Sequence, residues 1–370
     1  MSEPTVKSAY IHIPFCRSKC NYCSFVSGVN IDKKTGYLYS LLKGIDYYYD
    51  GTPLETLYIG GGTPSVMDTD ELGKIFSKFN FSENPEITIE VNPNDVTSEY
   101  MSALKSIGFN RISMGAQSFN DNILKLIGRR HNSDEIYKAV EITKNAGFSN
   151  ISLDLIYGLP TQTIEDFRYD LEELIKLDIS HLSLYGLKIE EGCYFYNNRP
   201  DNIPDEDMQA DMYLLAGELT SKNGYEHYEV SNYAKPEFNS RHNTNYWKCG
   251  EYWGFGLSAH GYVDNIRYSN TTDLDKYLSS PTSREFGKFM TQQEKLEERI
   301  FLGFRLSEGI EINEINNDFN IDFETKYKQI LDKYTNSGHI IKTEYGYKLS
   351  DSAENNGFLL SNIILADFIS

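Results

Sequence analysis

The sequence predicts an α/β fold: an incomplete barrel of six β/α units, followed by a mixed α+β extension and a small winged-helix-like C-terminal module. Three observations carry that expectation. Through the first half of the 370 residues, short apolar runs alternate with amphipathic stretches, which implies a parallel sheet covered by helices. Gly and Pro stand at the joins, in Gly60-Gly61-Gly62-Thr63-Pro64, Asn92-Pro93 and Gly158-Leu159-Pro160. Three cysteines in the pattern Cys16-x3-Cys20-x2-Cys23 follow the first apolar run, on the side where a parallel barrel places its chemistry.

The elements follow in order. Strands are expected at 9–15, 54–59, 86–91, 111–117, 150–157 and 181–189, each an apolar, β-rich run bounded by turn residues. Helices are expected near 33–50, 69–80, 97–107, 120–146 and 163–178. Residues 1–200 therefore form the barrel. A helix at 205–223 leads into mixed, aromatic-rich sequence that fills 201–288. In 289–370, helices at 292–306 and 324–336, a stop at Gly338 and a hairpin-like run at 339–350 turning at Tyr345-Gly346 suggest a winged-helix-like module.

Charge and composition narrow the function. The chain carries 35 Lys and Arg against 54 Asp and Glu, a net charge of −19, which repels nucleic-acid phosphates and anionic membrane surfaces. The winged-helix-like module is itself acidic, so DNA binding is not expected. No apolar run approaches the ~18 residues of a membrane helix, and no signal peptide is visible, so a cytoplasmic protein is expected. Five Cys, three of them clustered, do not form a disulfide framework.

Three thiolates can hold three irons of a cubane [4Fe–4S] cluster and leave the fourth iron open to a small molecule, which a four-cysteine cluster cannot do. The competing readings are a structural zinc site or a disulfide pair. Zinc asks for a fourth Cys or His, whereas the next cysteine is Cys193 and His12 precedes the triplet on its strand. The Gly60–Gly62 loop lets backbone approach a ligand. It could equally be a tight turn, and it lacks the Gly-Lys-[Ser/Thr] ending of a nucleotide P-loop. Glu90, Gln117 and Asp154 each end an apolar run. Polar groups there are costly unless partnered, either by each other in a network closing the barrel or by a polar ligand.

The stretch Tyr10-Ile11-His12-Ile13-Pro14-Phe15-Cys16-Arg17-Ser18-Lys19-Cys20-Asn21-Tyr22-Cys23 resembles the radical S-adenosylmethionine (SAM) superfamily. More narrowly, it resembles oxygen-independent coproporphyrinogen III oxidase and the related bacterial haem chaperones. The resemblance implies a radical SAM barrel with a [4Fe–4S] cluster on Cys16, Cys20 and Cys23. It implies SAM contacts at Gly61, Gly62 and Thr63 to the amino group, Glu90 to the ribose and Arg129 to the carboxylate. Gln117, Asp154, Tyr10, Tyr22 and Gly186 line the same site by this resemblance. An electron from the reduced cluster would split the sulfonium bond of SAM, so a flavodoxin or ferredoxin donor is implied. Arg17, Lys19, Arg129 and Arg130 offer it a basic patch.

Two features separate the branches. True oxidases carry a further Cys two residues after the third, where this chain has Phe25, and a longer N-terminal extension than the fifteen residues before Cys16. His242-Asn243-Thr244-Asn245-Tyr246-Trp247 resembles the His-Asn-x-x-Tyr-Trp signature of the haem chaperones. That resemblance implies haem contacts at His242, Asn243, Tyr246 and Trp247, imidazole being a standard axial ligand. A packed, hydrogen-bonded histidine is the plainer reading of His242. His260 and Cys249 are competing ligands, and Cys193 reads as structural. The expected function is a haem chaperone delivering haem to an acceptor protein, with possible homodimerisation by family analogy. The alternative is a coproporphyrinogen oxidase-like enzyme decarboxylating porphyrinogen propionates.

Overall fold

The computed structural model describes residues 6–369. Six parallel strands, β1 (Ser8–Ile13), β2 (Leu54–Gly61), β3 (Phe81–Val91), β4 (Arg111–Gln117), β5 (Asn150–Tyr157) and β6 (His181–Gly186), lie side by side in chain order. Their apolar runs are buried on both faces: Ile11, Ile59, Ile89, Ile112, Leu153 and Leu182 are all inaccessible. The interior is filled by side chains, and the intervening helices cover the outside.

Helix starts are set locally. Asp68 with Glu71, Asn132 with Glu135 and Thr163 with Asp166 each form a reciprocal capping box. The Asn132 box breaks the helix expected at 120–146 into Asp121–Leu126 and Ser133–Asn145. Between them Gly128 takes a left-handed conformation (φ 77°) against Asn21, and the break delivers Arg129 to the strand ends.

Segment 201–288 packs its helix Glu206–Lys222 against the barrel helix Ile164–Lys176 and then extends the sheet at both edges. β7 (Glu226–Glu229) and β8 (Asn232–Ala234) are antiparallel, and β8 pairs with β6. After the helix Arg241–Trp247, β9 (Trp253–Phe255) pairs parallel with β1. One segment thus covers both open edges of an incomplete barrel, whose unpaired backbone groups would otherwise be exposed. β10 (His260–Val263), β11 (Ile266–Asn270) and β12 (Arg284–Phe289) make a separate antiparallel sheet.

The C-terminal part has its own apolar core around Leu296, Ile300, Phe304, Phe323, Leu331 and Ile364. Its order is the helix Gln292–Gly303, β13 (Ile310–Glu311), the helices Ile312–Phe319, Phe323–Lys326 and Lys328–Asn336, then the hairpin β14 (Ile340–Lys342) and β15 (Gly346–Leu349). The expected hairpin is present, with β13 as a third strand beside β15. A last helix, Ser361–Ile369, closes it. Tyr157 and Tyr213 connect this core to the barrel. Among the described residues, no helix is long and apolar enough to cross a membrane.

Candidate functional site

The strand C-termini open on a cavity of about 780 Å³, within the ~300–1,000 Å³ range of ligand pockets. Its first wall is the loop after β1. Backbone hydrogen bonds from Cys16 to Gly28 and from Gly28 to Pro14, both 2.9 Å, fold the loop back on itself. Cys16, Cys20 and Cys23 all face the cavity as free thiols. Burial pushes the Cys23 thiol above its ordinary value. Among the described residues no three His, Cys, Asp or Glu side chains converge as ligands of one ion. A cubane asks instead for spread thiols, because each iron takes its own.

The glycine loop at the end of β2 packs directly beneath. A Cβ at Gly62 would come within 2.8 Å of the Phe15 carbonyl and 3.0 Å of Cys16 Sγ, and Gly61 has φ 118°. Only glycine fits this approach. Thr63 Oγ1 lies 3.4 Å from Cys16 Sγ.

The following strands contribute polar groups. Glu90 accepts from the Tyr58 hydroxyl (2.9 Å) and the Gly61 amide (3.1 Å). Burial pushes it up to about 7 against those two bonds. Burial likewise pushes Asp154 up to about 6, with Ser183 hydrogen-bonding the charged form and Arg111 nearby, and its Oδ1 has no partner. Gln117 sits at a bulge in β4 with φ 71°, a conformation costly for glutamine and typical of sites under functional constraint. Arg129 Nη2 donates to the Gly115 carbonyl (2.5 Å) and His131 Nε2 bonds the Ala116 carbonyl (3.0 Å), so carbonyls displaced by the bulge are satisfied. Arg129 Nη1 lies 3.5 Å from Cys20 Sγ, and its Nε has no partner.

Tyr22 and Gly186 also line the cavity. Tyr10 stands apart from the other nine expected SAM residues. It lies behind Tyr58, outside the cavity lining, and its hydroxyl meets His12 Nδ1 at 3.0 Å. His12 Nε2 is 2.8 Å from the Val26 carbonyl. A carbonyl only accepts, so Nε2 donates, and Tyr10 in turn donates to Nδ1. This pair pins the end of the cysteine loop from below.

The residues fit the cluster and SAM together. Three thiols share one wall, a cradle excludes any Cβ, and the polar atoms Asp154 Oδ1 and Arg129 Nε are enclosed without protein partners. The sequence reading missed Arg111, which is 1% exposed on β4 and faces the same cavity. Arg111 opens β4, so the signal used for Glu90 and Asp154, a polar residue ending an apolar run, did not reach it.

The helix Arg241–Trp247 behaves differently. Glu86 accepts from the backbone amides of Arg241 (3.0 Å) and His242 (2.9 Å) at the helix N-terminus. His242 is 1% exposed and stacks on Tyr58 at 5.3 Å. Its Nδ1 bonds Thr56 Oγ1 and its Nε2 the Tyr246 hydroxyl, both at 2.7 Å. Burial, with Arg111 adding to it, pushes its pKa down to about 3. In this conformation neither nitrogen is available to an iron, which is the plainer of the two sequence readings. Of its motif, Asn243 faces the main cavity, and Trp247 stands 5.9 Å from the Arg305 guanidinium. His260 is exposed on β10, Cys193 is buried, and the Cys249 thiol is pushed up to about 11 by burial.

The sequence profile of the Radical SAM superfamily matches residues 10–174, and that of the HemN C-terminal domain matches residues 290–353. The chain is 37% identical to the haem chaperone HemW of Lactococcus lactis subsp. lactis over 98% of this chain and 97% of the relative. It is 32% identical to that of Bacillus subtilis over 98% and 99%, and 34% identical to that of Haemophilus influenzae over 98% of each. The solved structure of coproporphyrinogen III oxidase (HemN) from Escherichia coli superposes with a TM-score of 0.87, at 21% identity, over 100% of this chain and 91% of that one.

Proposed function

The chain belongs to the family of the haem chaperone HemW, within the radical SAM superfamily, and from that premise we propose that it is a haem chaperone passing haem to an acceptor protein. The observation that carries this reading is similarity to haem chaperones along the whole length, at 37% identity, rather than in the barrel alone. Phe25 agrees with it: the side chain is 68% exposed beside the cluster loop, where the oxidases have a cysteine.

In this reading Cys16, Cys20 and Cys23 hold a [4Fe–4S] cluster. Gly61, Gly62 and Thr63 meet the methionine end of SAM, Arg129 its carboxylate and Glu90 its ribose, with Gln117, Asp154, Tyr22 and Gly186 around them. When bound, the pair supplies one-electron reductive chemistry. The chain's own part is to position and to exclude water. The bulge at Gln117 turns its amide inward, and Arg129 neutralises thiolate charge at Cys20. An electron donor of the flavodoxin or ferredoxin type would approach over Arg17, Lys19 and Arg130, in the cytoplasm. Arg17, Lys19 and Arg130 are exposed, whereas Arg129 is half-buried and donates to the Gly115 carbonyl, so it is left out of that outer patch.

Anaerobic titration of haem into the cluster-reconstituted chain tests the reading. A saturable Soret shift at one haem per chain is expected. Absence of specific binding, together with turnover of coproporphyrinogen III under reducing conditions, would replace it by the oxidase.

A further inference from the structure

The cavity does not end at the barrel. Its far wall comes from the C-terminal part, through Arg305, Phe358, Leu359 and Asn362. Arg305 follows the helix Gln292–Gly303 and is tied to the barrel edge, its carbonyl accepting from the Val230 amide at 3.0 Å. Its guanidinium lies 4.1 Å over the Phe301 ring, with Trp247 at 5.9 Å. Among the described residues its side chain makes one hydrogen bond, Nη2 to Asn362 Oδ1 at 2.7 Å, and its Nε is enclosed without a partner. It forms no ion pair there. The carboxylate whose charge reaches it, Glu229, is buried and directs its oxygens to the Asn232 side chain and the Ser231 amide. A guanidinium is a planar fork of five donors matched to a carboxylate. This one is held by aromatic packing, half-buried and mostly unspent. The same cavity is lined by Tyr157, with Tyr213 and Phe358 nearly buried in its wall, so that its lining includes aromatic side chains.

The geometry points to Arg305 as the receptor for a carboxylate of the cargo, so that haem lies between barrel and C-terminal part with a propionate on Arg305 and Asn362. This rests on the haem-chaperone reading. It also changes the part played by the signature helix, in which Asn243 lines the slot and Trp247 backs the guanidinium, while His242 packs inside.

The test uses the full cluster-reconstituted chain with SAM, titrated with haem and with haem dimethyl ester, for the unchanged chain, R305Q and R305K. R305Q is expected to weaken haem about tenfold or more, R305K to recover part of the loss, and cluster absorbance and SAM binding to stay as they were. The unchanged chain is expected to bind the dimethyl ester as weakly as R305Q binds haem. Equal affinity of the unchanged chain for haem and its ester would overturn the assignment, whether or not R305Q folds, as would undiminished haem binding by a folded R305Q. If the unchanged chain bound neither ligand, the haem reading itself would fall, and Arg305 with it.

Discussion

The strand ends of the barrel and the helix Arg241–Trp247 both carry residues with a recognisable motif, and they are built in opposite ways. At the strand ends polar groups converge on a cavity and some are left over: Asp154 Oδ1 and Arg129 Nε have no partner, and burial holds the Glu90 carboxyl up at about 7. On the helix every polar atom of the His242 ring is spent on Thr56 and Tyr246. Unspent, enclosed donors and acceptors mark where a ligand belongs, because leaving them so costs stability. A spent histidine marks where the fold is held together. The same criterion passes over His242 and admits Arg305 Nε, together with the unpartnered Nε1 of Trp247 at the end of the same helix.

The sharpest way to break this contrast is at the cysteines. Cys20→Ser removes one of three thiolates and the Arg129 contact, so reconstituted iron should fall from about four per chain towards none. An intact cluster absorbance in that variant would mean the three cysteines do not act as one ligand set. On the other side, His242→Ala should act mainly on the fold. Lost stacking on Tyr58 and an unpaired Tyr246 hydroxyl, with Thr56 still bonded to Ser8 at 3.0 Å, should cost about 2–4 kcal/mol in thermal unfolding of the apo chain, with haem affinity changed less than tenfold.

The sign of its pH dependence also follows. His titrates near 6.5 when unfolded and His242 near 3 when folded. Below about 6.5 protonation favours the unfolded chain, so this contribution is present above that pH and lost as pH falls towards 3. Acid should therefore cost the unchanged chain more stability than the variant. A haem affinity that collapsed in His242→Ala at unchanged stability would reverse the comparison.

The smallest effect is expected at the rim. Arg17 pairs with Asp95 at 3.2 Å and is half exposed, and Lys19 is exposed. Arg17→Glu with Lys19→Glu should slow cluster reduction by flavodoxin several-fold at low salt, the difference fading as salt is raised. An unchanged rate would move the docking face elsewhere.

Much of this was legible beforehand, for a physical reason. The cysteine loop and the glycine loop each lie on one short segment, so spacing alone carries their chemistry. The six strands follow from apolar runs whose burial on two faces needs no knowledge of the partner. The capping box at Asn132, which divides the helix expected at 120–146, was legible but overlooked.

What spacing could not supply was contact between distant residues. Thr56 meets His242 across 186 positions, and Arg305 reaches the cavity only because the C-terminal core seats on the barrel edge at Val230. The left-handed Gln117 depends on a register shift in β4 held by Arg129 and His131. The sequence by itself determined the elements, the barrel and the identity of its ligand-bearing loops, since those rest on local periodicity and local spacing. Only the tertiary structure decided which polar groups are spent and which are left for a ligand, because that depends on hydrogen-bond partners supplied by segments far apart in the chain.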